Sequence, residues 1–280
     1  MRLNLGQAQP HLTLNAKSIR LFEIALSAAA IFQLIQIIFN YDFLLGSHGV
    51  TNKLVLYNRL QWSHYSLFSL QFENNISAYV ILSFGLIIAF CLLKNKFHFY
   101  AHFGLYVIFT SILNACPWID NLGLNLQGLS HFWLSALYGV LQIESITKDL
   151  REFIAYWCIR VLKIHICLIY FFAGISKTNS FDWMSGTAVF EIINVLGTGF
   201  AIPKFTQTSI LNNIMTYASM AVELAAPWLL WHKKNSIILT ILILLHASLV
   251  VTMNITFLNQ MMVVLIILFI HDEDLISFKI

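Results

Sequence analysis

The sequence predicts an all-α fold, a polytopic bundle of about eight transmembrane helices with the N- and C-termini in the cytoplasm. Two observations indicate this fold, since 59% of the 280 residues are hydrophobic and only 10% are charged. Soluble domains carry about 25% charged residues, and a soluble protein this apolar would expose large hydrophobic patches. The first expected partner is therefore the lipid bilayer, and no cluster of Lys and Arg indicates a nucleic-acid partner.

Eight apolar segments approach the roughly 20 residues that a helix needs to cross the hydrocarbon core. We place the spans at residues 19–40, 76–93, 99–115, 123–143, 153–176, 209–231, 235–253 and 256–270. The fourth is the least apolar, because it contains Asn125, Gln127 and His131. The spans fill the chain, so we expect a single membrane domain over residues 1–280 and no separate soluble domain.

The distribution of basic residues sets the orientation of the spans, because cytoplasmic segments of membrane proteins are enriched in Lys and Arg. With a cytoplasmic N-terminus, ten of the 16 basic residues fall in cytoplasmic segments and four in outer segments. The other two, Arg160 and Lys163, lie inside the fifth span. The longest loops, 41–75 and 177–208, then face outward, and functional residues concentrate in long loops.

Arg160 and Glu223 lie inside predicted spans, where an ionisable side chain needs a partner or a function. The fifth and sixth spans run in opposite directions. Each residue lies about eight positions from the inner end of its span, roughly 12 Å deep at 1.5 Å per residue. Matching depth and opposite charge predict a structural ion pair between Arg160 and Glu223.

His131 lies in the outer third of the fourth span, beside Phe132 and Trp133. A single histidine on an apolar helix is typical of a hydrogen-bonded core residue, and a functional role is the alternative. No HxxxH or HxxE pair accompanies it, and metal sites in proteins are built from several such ligands. We therefore predict no metal site.

The outer end of the fifth span has the most informative pattern of the chain. It reads Tyr170-Phe-Phe-Ala-Gly-Ile-Ser-Lys177, and Phe181-Asp-Trp-Met-Ser-Gly-Thr-Ala188 follows. From the residues alone, Lys177 extends to the interface and Trp183 belongs to an aromatic belt. The alternative is a functional site at the outer face.

This pattern resembles the HTTM domain family, the membrane portion of vitamin K-dependent γ-carboxylases and their bacterial relatives. The shared elements are Tyr-Phe-x-Ala-Gly-x-x-Lys, then Asp-Trp, then Gly, at residues 170–186. Looser similarities are Glu223 with Pro227, His246 in Leu-Leu-His-Ala and His131 in Ser-His-Phe-Trp, so the resemblance covers roughly residues 19–270. The Gly-Thr-Ala at 186–188 is also similar to a bacterial branch, a membrane component that helps to mature a secreted toxin peptide.

The resemblance implies that Lys177 is the base that deprotonates reduced vitamin K, a menaquinol-like molecule, and that His131 supports the developing oxyanion. It also implies oxygen and carbon dioxide as co-substrates in the carboxylation of a glutamate side chain. The base must be an uncharged amine, which desolvation at an apolar membrane edge favours. The residues expected to bind the cofactor are Tyr170, Gly174, Trp183, Gly186 and His246.

These implications favour a γ-carboxylase-like enzyme that modifies or matures a secreted peptide at the outer face of a bacterial cytoplasmic membrane. A soluble partner protein is expected to supply the half that presents the peptide. Two alternatives stay open. One is a non-catalytic accessory or immunity component of a toxin-peptide maturation or export system, which would tolerate substitution of Lys177. The other is a small-molecule transporter, which would depend more on Lys163, Glu223 or His246.

Overall fold

The computed structural model describes residues 16–44, 66–70, 76–115, 122–195, 210–232, 235–253 and 256–271, which form helices and no strand. The α-helices are α1 (Ala16–Phe39), α2 (Tyr41–Leu44), α3 (Ile76–Leu93), α4 (His98–Ala115), α5 (Leu122–Gln142), α6 (Lys148–Thr178), α7 (Phe181–Met184), α8 (Ala188–Val195), α9 (Ile210–Leu229), α10 (Ser236–Met253) and α11 (Thr256–Ile266). Short 3₁₀ helices lie at Leu67–Leu70 and Ile267–Phe269. The prediction of an all-α fold is confirmed for this part of the chain.

A helix occupies each of the eight segments predicted as spans, and three of these helices are long and apolar enough to cross a membrane. These three are α1, α3 and α6, while α10 and α11 contain shorter apolar helical stretches. The count of eight spans and the cytoplasmic placement of the termini stay predictions. The outermost residues of both termini and most of the loop 41–75 lie outside the described residues.

Large apolar side chains point away from the protein along several helices. On α3, Phe84 is 58% exposed and Ile87 60%, and Phe172 on α6 is 62% exposed. Trp228 and Leu244 repeat this arrangement on α9 and α10. Surfaces of this kind are unfavourable in water and are compatible with lipid, so the protein is a membrane protein.

The chain forms two compact units, and the first comprises residues 1–14 and 19–160. In its described part, α4 packs against α3 and α5, and the core contains Phe22, Leu105 and Phe109 with little or no exposure. Arg20 on α1 donates hydrogen bonds of 3.1 and 2.9 Å to the carbonyls of Leu92 and Leu93. A cation at these carbonyls stabilises the C-terminal end of α3.

The second unit comprises residues 15–18 and 161–280 and contains the C-terminal half of α6 together with α7 to α11. Tyr170 is fully buried in it. Gly174 allows α9 to approach α6, because a Cβ atom at this position would lie 2.7 Å from two carbon atoms of Leu224 and 3.2 Å from its backbone nitrogen. This contact fixes the pairing of α6 with α9, and with it the position of the residues described below.

Replacing Gly174 by alanine is expected to destabilise the second unit by about 1–3 kcal/mol, the usual cost of overpacking. Alanine favours a helix by about 1 kcal/mol over glycine, but the rigid backbone of Leu224 prevents the contact from relaxing. Thermal unfolding of the purified protein in detergent measures this change in stability.

The matched control is Gly128→Ala on α5, where the added Cβ would have ordinary contacts of 3.7 and 3.9 Å. This variant should unfold at the wild-type temperature or above. A Gly174→Ala protein as stable as Gly128→Ala would contradict the close contact of α6 with α9.

Candidate functional site at the C-terminal end of α6

Lys177 in the last turn of α6 forms an ion pair with Glu223 of α9, through its Nζ and the Oε1 of the carboxylate. The two side chains are 18% and 8% exposed. The second oxygen of Glu223, Oε2, is buried and has no hydrogen-bond partner among the described residues. A buried polar atom without a partner is unfavourable, so this oxygen is available to a hydrogen-bond donor that the protein binds.

Pro227 explains why Glu223 lies at an irregular position of α9. Pro227 is inside the helix, and proline removes the hydrogen bond to the carbonyl four residues earlier and crowds it. That carbonyl belongs to Glu223. The acidic residue therefore lies where the helix backbone is interrupted.

The prediction that Glu223 forms an ion pair with Arg160 is wrong, because Glu223 pairs with Lys177 in the structure. The guanidinium of Arg160 lies 4.8 Å from the centre of the Tyr156 ring instead. The prediction assumed that the fifth span begins near residue 153, but α6 runs over 31 residues. At 1.5 Å per residue it is about 46 Å long, so counting from a predicted span end gave the wrong depth.

Trp183 is the second residue that contacts Lys177. A short turn after α6 leads into α7, and the Trp183 ring centre lies 4.4 Å from Nζ of Lys177. A cation over an indole ring is an attractive contact. Lys177, Glu223 and Trp183 thus form one cluster of a cation, a carboxylate and an aromatic ring.

Tyr170 and His246 lie next to this cluster. Tyr170 is seven residues before Lys177, which places it two turns away on the same face of α6. Its hydroxyl is 2.8 Å from Nε2 of His246, and Nδ1 of His246 is 3.0 Å from Oδ1 of Asn259. All of these residues belong to the second unit.

These contacts indicate the tautomer of His246. The amide oxygen of Asn259 accepts only, so Nδ1 of the ring carries a proton and donates it, while Nε2 shares a hydrogen bond with the Tyr170 hydroxyl.

Gly174 and Gly186, expected to bind a cofactor, have packing roles in the structure. Gly174 allows the contact with Leu224 described above. Gly186 has φ of 80°, and a Cβ there would lie 3.0 Å from Oδ1 of Asn213. Its carbonyl accepts a 2.9 Å hydrogen bond from Asn212. Both glycines thus hold α9 beside the segment that carries Lys177 and Trp183.

His131 lies in the first unit and is fully buried. Its Nδ1 is 2.8 Å from Nδ1 of His102, and its Nε2 is 3.0 Å from the amide nitrogen of Gln127. Both ring nitrogens are therefore occupied. A direct hydrogen bond from His131 to an oxyanion would require one of these contacts to open.

The sequence analysis did not select Glu23, His98 and His102, which adjoin His131. His98 and His102 are 3.1 and 3.0 Å from Oε1 of Glu23. The signal was present, since His98-x-x-x-His102 places two imidazoles on one face of α4. It was missed because this pair lies about 30 residues before His131, on a different helix.

Comparison with known protein families finds the HTTM domain over residues 131–273, just over half of the chain. The matched region contains the whole site of Tyr170, Lys177, Trp183, Glu223 and His246. The family resemblance predicted from residues 170–186 is therefore confirmed. No curated protein matches the chain, and no solved structure matches it.

Lys177 and Glu223 are expected to be energetically coupled, because each substitution leaves a poorly solvated charge without its partner. In a double-mutant cycle of Lys177→Ala and Glu223→Ala, we expect a coupling of about 1–3 kcal/mol in the free energy of unfolding. Unfolding in mixed detergent and SDS micelles measures it.

The exposed pair Lys148–Glu152, in which the lysine side chain is 60% exposed, is the control cycle. Its coupling should stay within about 1 kcal/mol. Additive effects at Lys177 and Glu223 would show that this contact contributes nothing to stability.

Proposed function

The chain belongs to the HTTM family, and from this premise we propose that it is a carboxylase-like membrane enzyme that modifies or matures a secreted peptide. The proposed site is the cluster of Lys177, Glu223 and Trp183 at the outer face of a bacterial cytoplasmic membrane. A soluble partner protein is proposed to present the peptide.

The observation that carries the proposal is that Oε2 of Glu223, beside the amine of Lys177, has no hydrogen-bond partner among the described residues. A bound hydroxyl can donate a hydrogen bond to Oε2 while its oxygen lies close to Nζ. Trp183 offers an aromatic surface at the same place. These features fit an aromatic alcohol such as the hydroquinone of a menaquinol-like cofactor, which also partitions into lipid.

The pair of Lys177 and Glu223 can supply an uncharged amine without leaving a net charge in an apolar environment. Transfer of one proton from Nζ to the carboxylate converts the ion pair into a neutral amine and a neutral acid. A low dielectric disfavours the charged pair unless it is well solvated by hydrogen bonds. The neutral Nζ can then take up a proton from a bound hydroxyl, as a general base does.

A reduced naphthoquinone, when bound, supplies the chemistry that uses oxygen and carbon dioxide to carboxylate glutamate. Trp183 and Oε2 of Glu223 would hold it, and Tyr170 and His246 would border it. Gly174 and Gly186 support the site by keeping α9 close. His131 lies in the first unit, where it contacts His102 and Gln127, and its role as an oxyanion-stabilising residue stays a prediction.

The alternatives differ from the enzyme in the residue on which they depend. An accessory or immunity component needs its outer surface and tolerates the loss of the amine of Lys177. A transporter depends on polar residues along its path, such as Lys163 or His246. The free carboxylate oxygen beside a lysine favours the enzyme, because neither alternative requires a base.

Quinol-dependent oxygen uptake tests the proposal without knowledge of the peptide. The purified full-length protein in liposomes is given a reduced naphthoquinone, and oxygen consumption is followed with an electrode. Lys177→Ala and Lys177→Arg should lose uptake, since arginine stays protonated. Incorporation of labelled bicarbonate into glutamate-rich peptides is then measured with the same variants.

Lys148→Ala serves as the control, because it also removes a lysine from α6 but at an exposed position. It should keep the wild-type rate. Wild-type uptake by Lys177→Arg would overturn the role of Lys177 as base, and sensitivity of function to Lys163→Ala alone would favour transport.

A further inference from the structure

Glu23, His98 and His102 form a buried cluster in the first unit, separate from the site of the proposed function. Glu23 and His102 are 1% and 0% exposed, and His98 is 21% exposed. One atom of each residue, a carboxylate oxygen or a ring nitrogen, lies within 4.8 Å of the others. All three residues precede the region that matches the family, so the family does not account for them.

Two of the three distances in the cluster are close to those between ligands of one metal ion. Oε1 of Glu23 is 3.1 Å from Nδ1 of His98 and 3.0 Å from Nε2 of His102. In a tetrahedral site with bonds of about 2.0–2.1 Å, neighbouring ligand atoms lie about 3.3 Å apart. The three ligand atoms lie within 4.8 Å of one another, so the imidazoles would close around an ion by side-chain shifts of at most about 1.5 Å.

The two histidines come from one turn of α4, and the glutamate comes from α1. Two imidazoles at positions i and i+4 of a helix, with a carboxylate from elsewhere, provide three ligands of types that zinc and iron accept. The partial exposure of His98 leaves access to the cluster from outside. A fourth position is then open to water or another ligand.

The residues behind His102 can orient it as a ligand. If Nε2 of His102 binds a metal, its Nδ1 carries the proton and donates it to Nδ1 of His131 at 2.8 Å. His131 then holds its own proton on Nε2 and needs an acceptor. The amide nitrogen of Gln127 faces this Nε2 and also donates to the carbonyl of Leu26 at 3.0 Å. To accept from His131, the amide would turn its buried Oε1, which has no hydrogen-bond partner among the described residues, toward the ring and release Leu26.

Arg20 and Tyr138 also adjoin the cluster. Arg20 is 3.4 Å from the other oxygen, Oε2, and its charge is shared with the carbonyls of Leu92 and Leu93. The ring of Tyr138 stacks on both His98 and His102, at 4.5 and 5.9 Å between ring centres. This ring restricts the orientation of the two imidazoles.

We infer that Glu23, His98 and His102 bind one first-row divalent transition metal ion, with His131 and Gln127 orienting His102. Ligands of metal sites are commonly held by a second hydrogen-bonded group in this way. None of the three ligands belongs to the cluster of Lys177, Glu223 and Trp183, and the test does not require an active enzyme.

The test uses Co²⁺ as a spectroscopic probe and Zn²⁺ as its competitor. The full-length protein is purified in detergent, treated with a chelator and titrated with Co²⁺ while visible absorption is recorded. We expect one Co²⁺ per chain and its displacement by Zn²⁺. His98→Ala and Glu23→Gln should abolish the bands, and His131→Phe should weaken binding by about 10- to 100-fold.

His165→Ala is the matched control, because His165 lies on α6 and its Nδ1 lies 3.3 Å from the carbonyl oxygen of Val161, one turn earlier in the same helix. It should bind Co²⁺ like the wild type. If Glu23→Gln does not fold, His98→Ala decides the test, because His98 is the least buried of the three ligands. Wild-type affinity in His98→Ala, or no stoichiometric binding by the wild type, would overturn the site and leave a purely hydrogen-bonded cluster.

Discussion

Lipid offers no hydrogen bonds, so polar side chains inside the predicted spans must find partners within the protein. The described helices meet this requirement with groups rather than isolated contacts. The hydroxyl of Tyr170 is hydrogen-bonded to His246, and His246 is hydrogen-bonded to Asn259. In the first unit, Glu23, His102, His131 and Gln127 form a continuous chain of side-chain contacts. The apolar composition thus concentrates the polar chemistry into few places.

The cluster around Lys177 and the cluster around Glu23 differ in which hydrogen-bonding atoms can still accept a ligand. At Lys177, the free atom is an oxygen of the carboxylate, next to the cation that neutralises it. A ligand that donates a hydrogen bond completes this group without adding charge. At Glu23, the carboxylate already accepts from two imidazoles and an arginine. Only a group that replaces the imidazole protons, such as a cation, can enter there.

The helices could be predicted from the sequence to within a few residues, because the apolar segments are long and separated by polar ones. The segment 76–93 coincides with α3, and the others differ by at most five residues at an end. The largest difference is at α6, which extends to Lys148 through a polar first turn with Asp149. Hydropathy does not detect helix beyond the apolar core, since such residues leave the lipid while the helix continues.

The site was predictable in its residues and less so in its contacts. The pattern from Tyr170 to Gly186 indicated Lys177 and Trp183, which do lie together. The partner of Glu223 was not predictable by depth alone, because several cations lie along α6 and the pairing register with α9 selects among them. That register depends on the contact of Gly174 with Leu224, a three-dimensional property that charge and hydropathy do not encode.

The pairing of Lys177 with Glu223 also changes what the lysine can do. A lysine that extends alone to the interface would remain charged and hydrated, and it would be a poor base. Beside a carboxylate that is 8% exposed, the same amine can lose its proton to its neighbour with no change in net charge. The residue originally considered structural, Glu223, is for this reason as necessary to the proposed chemistry as the base itself.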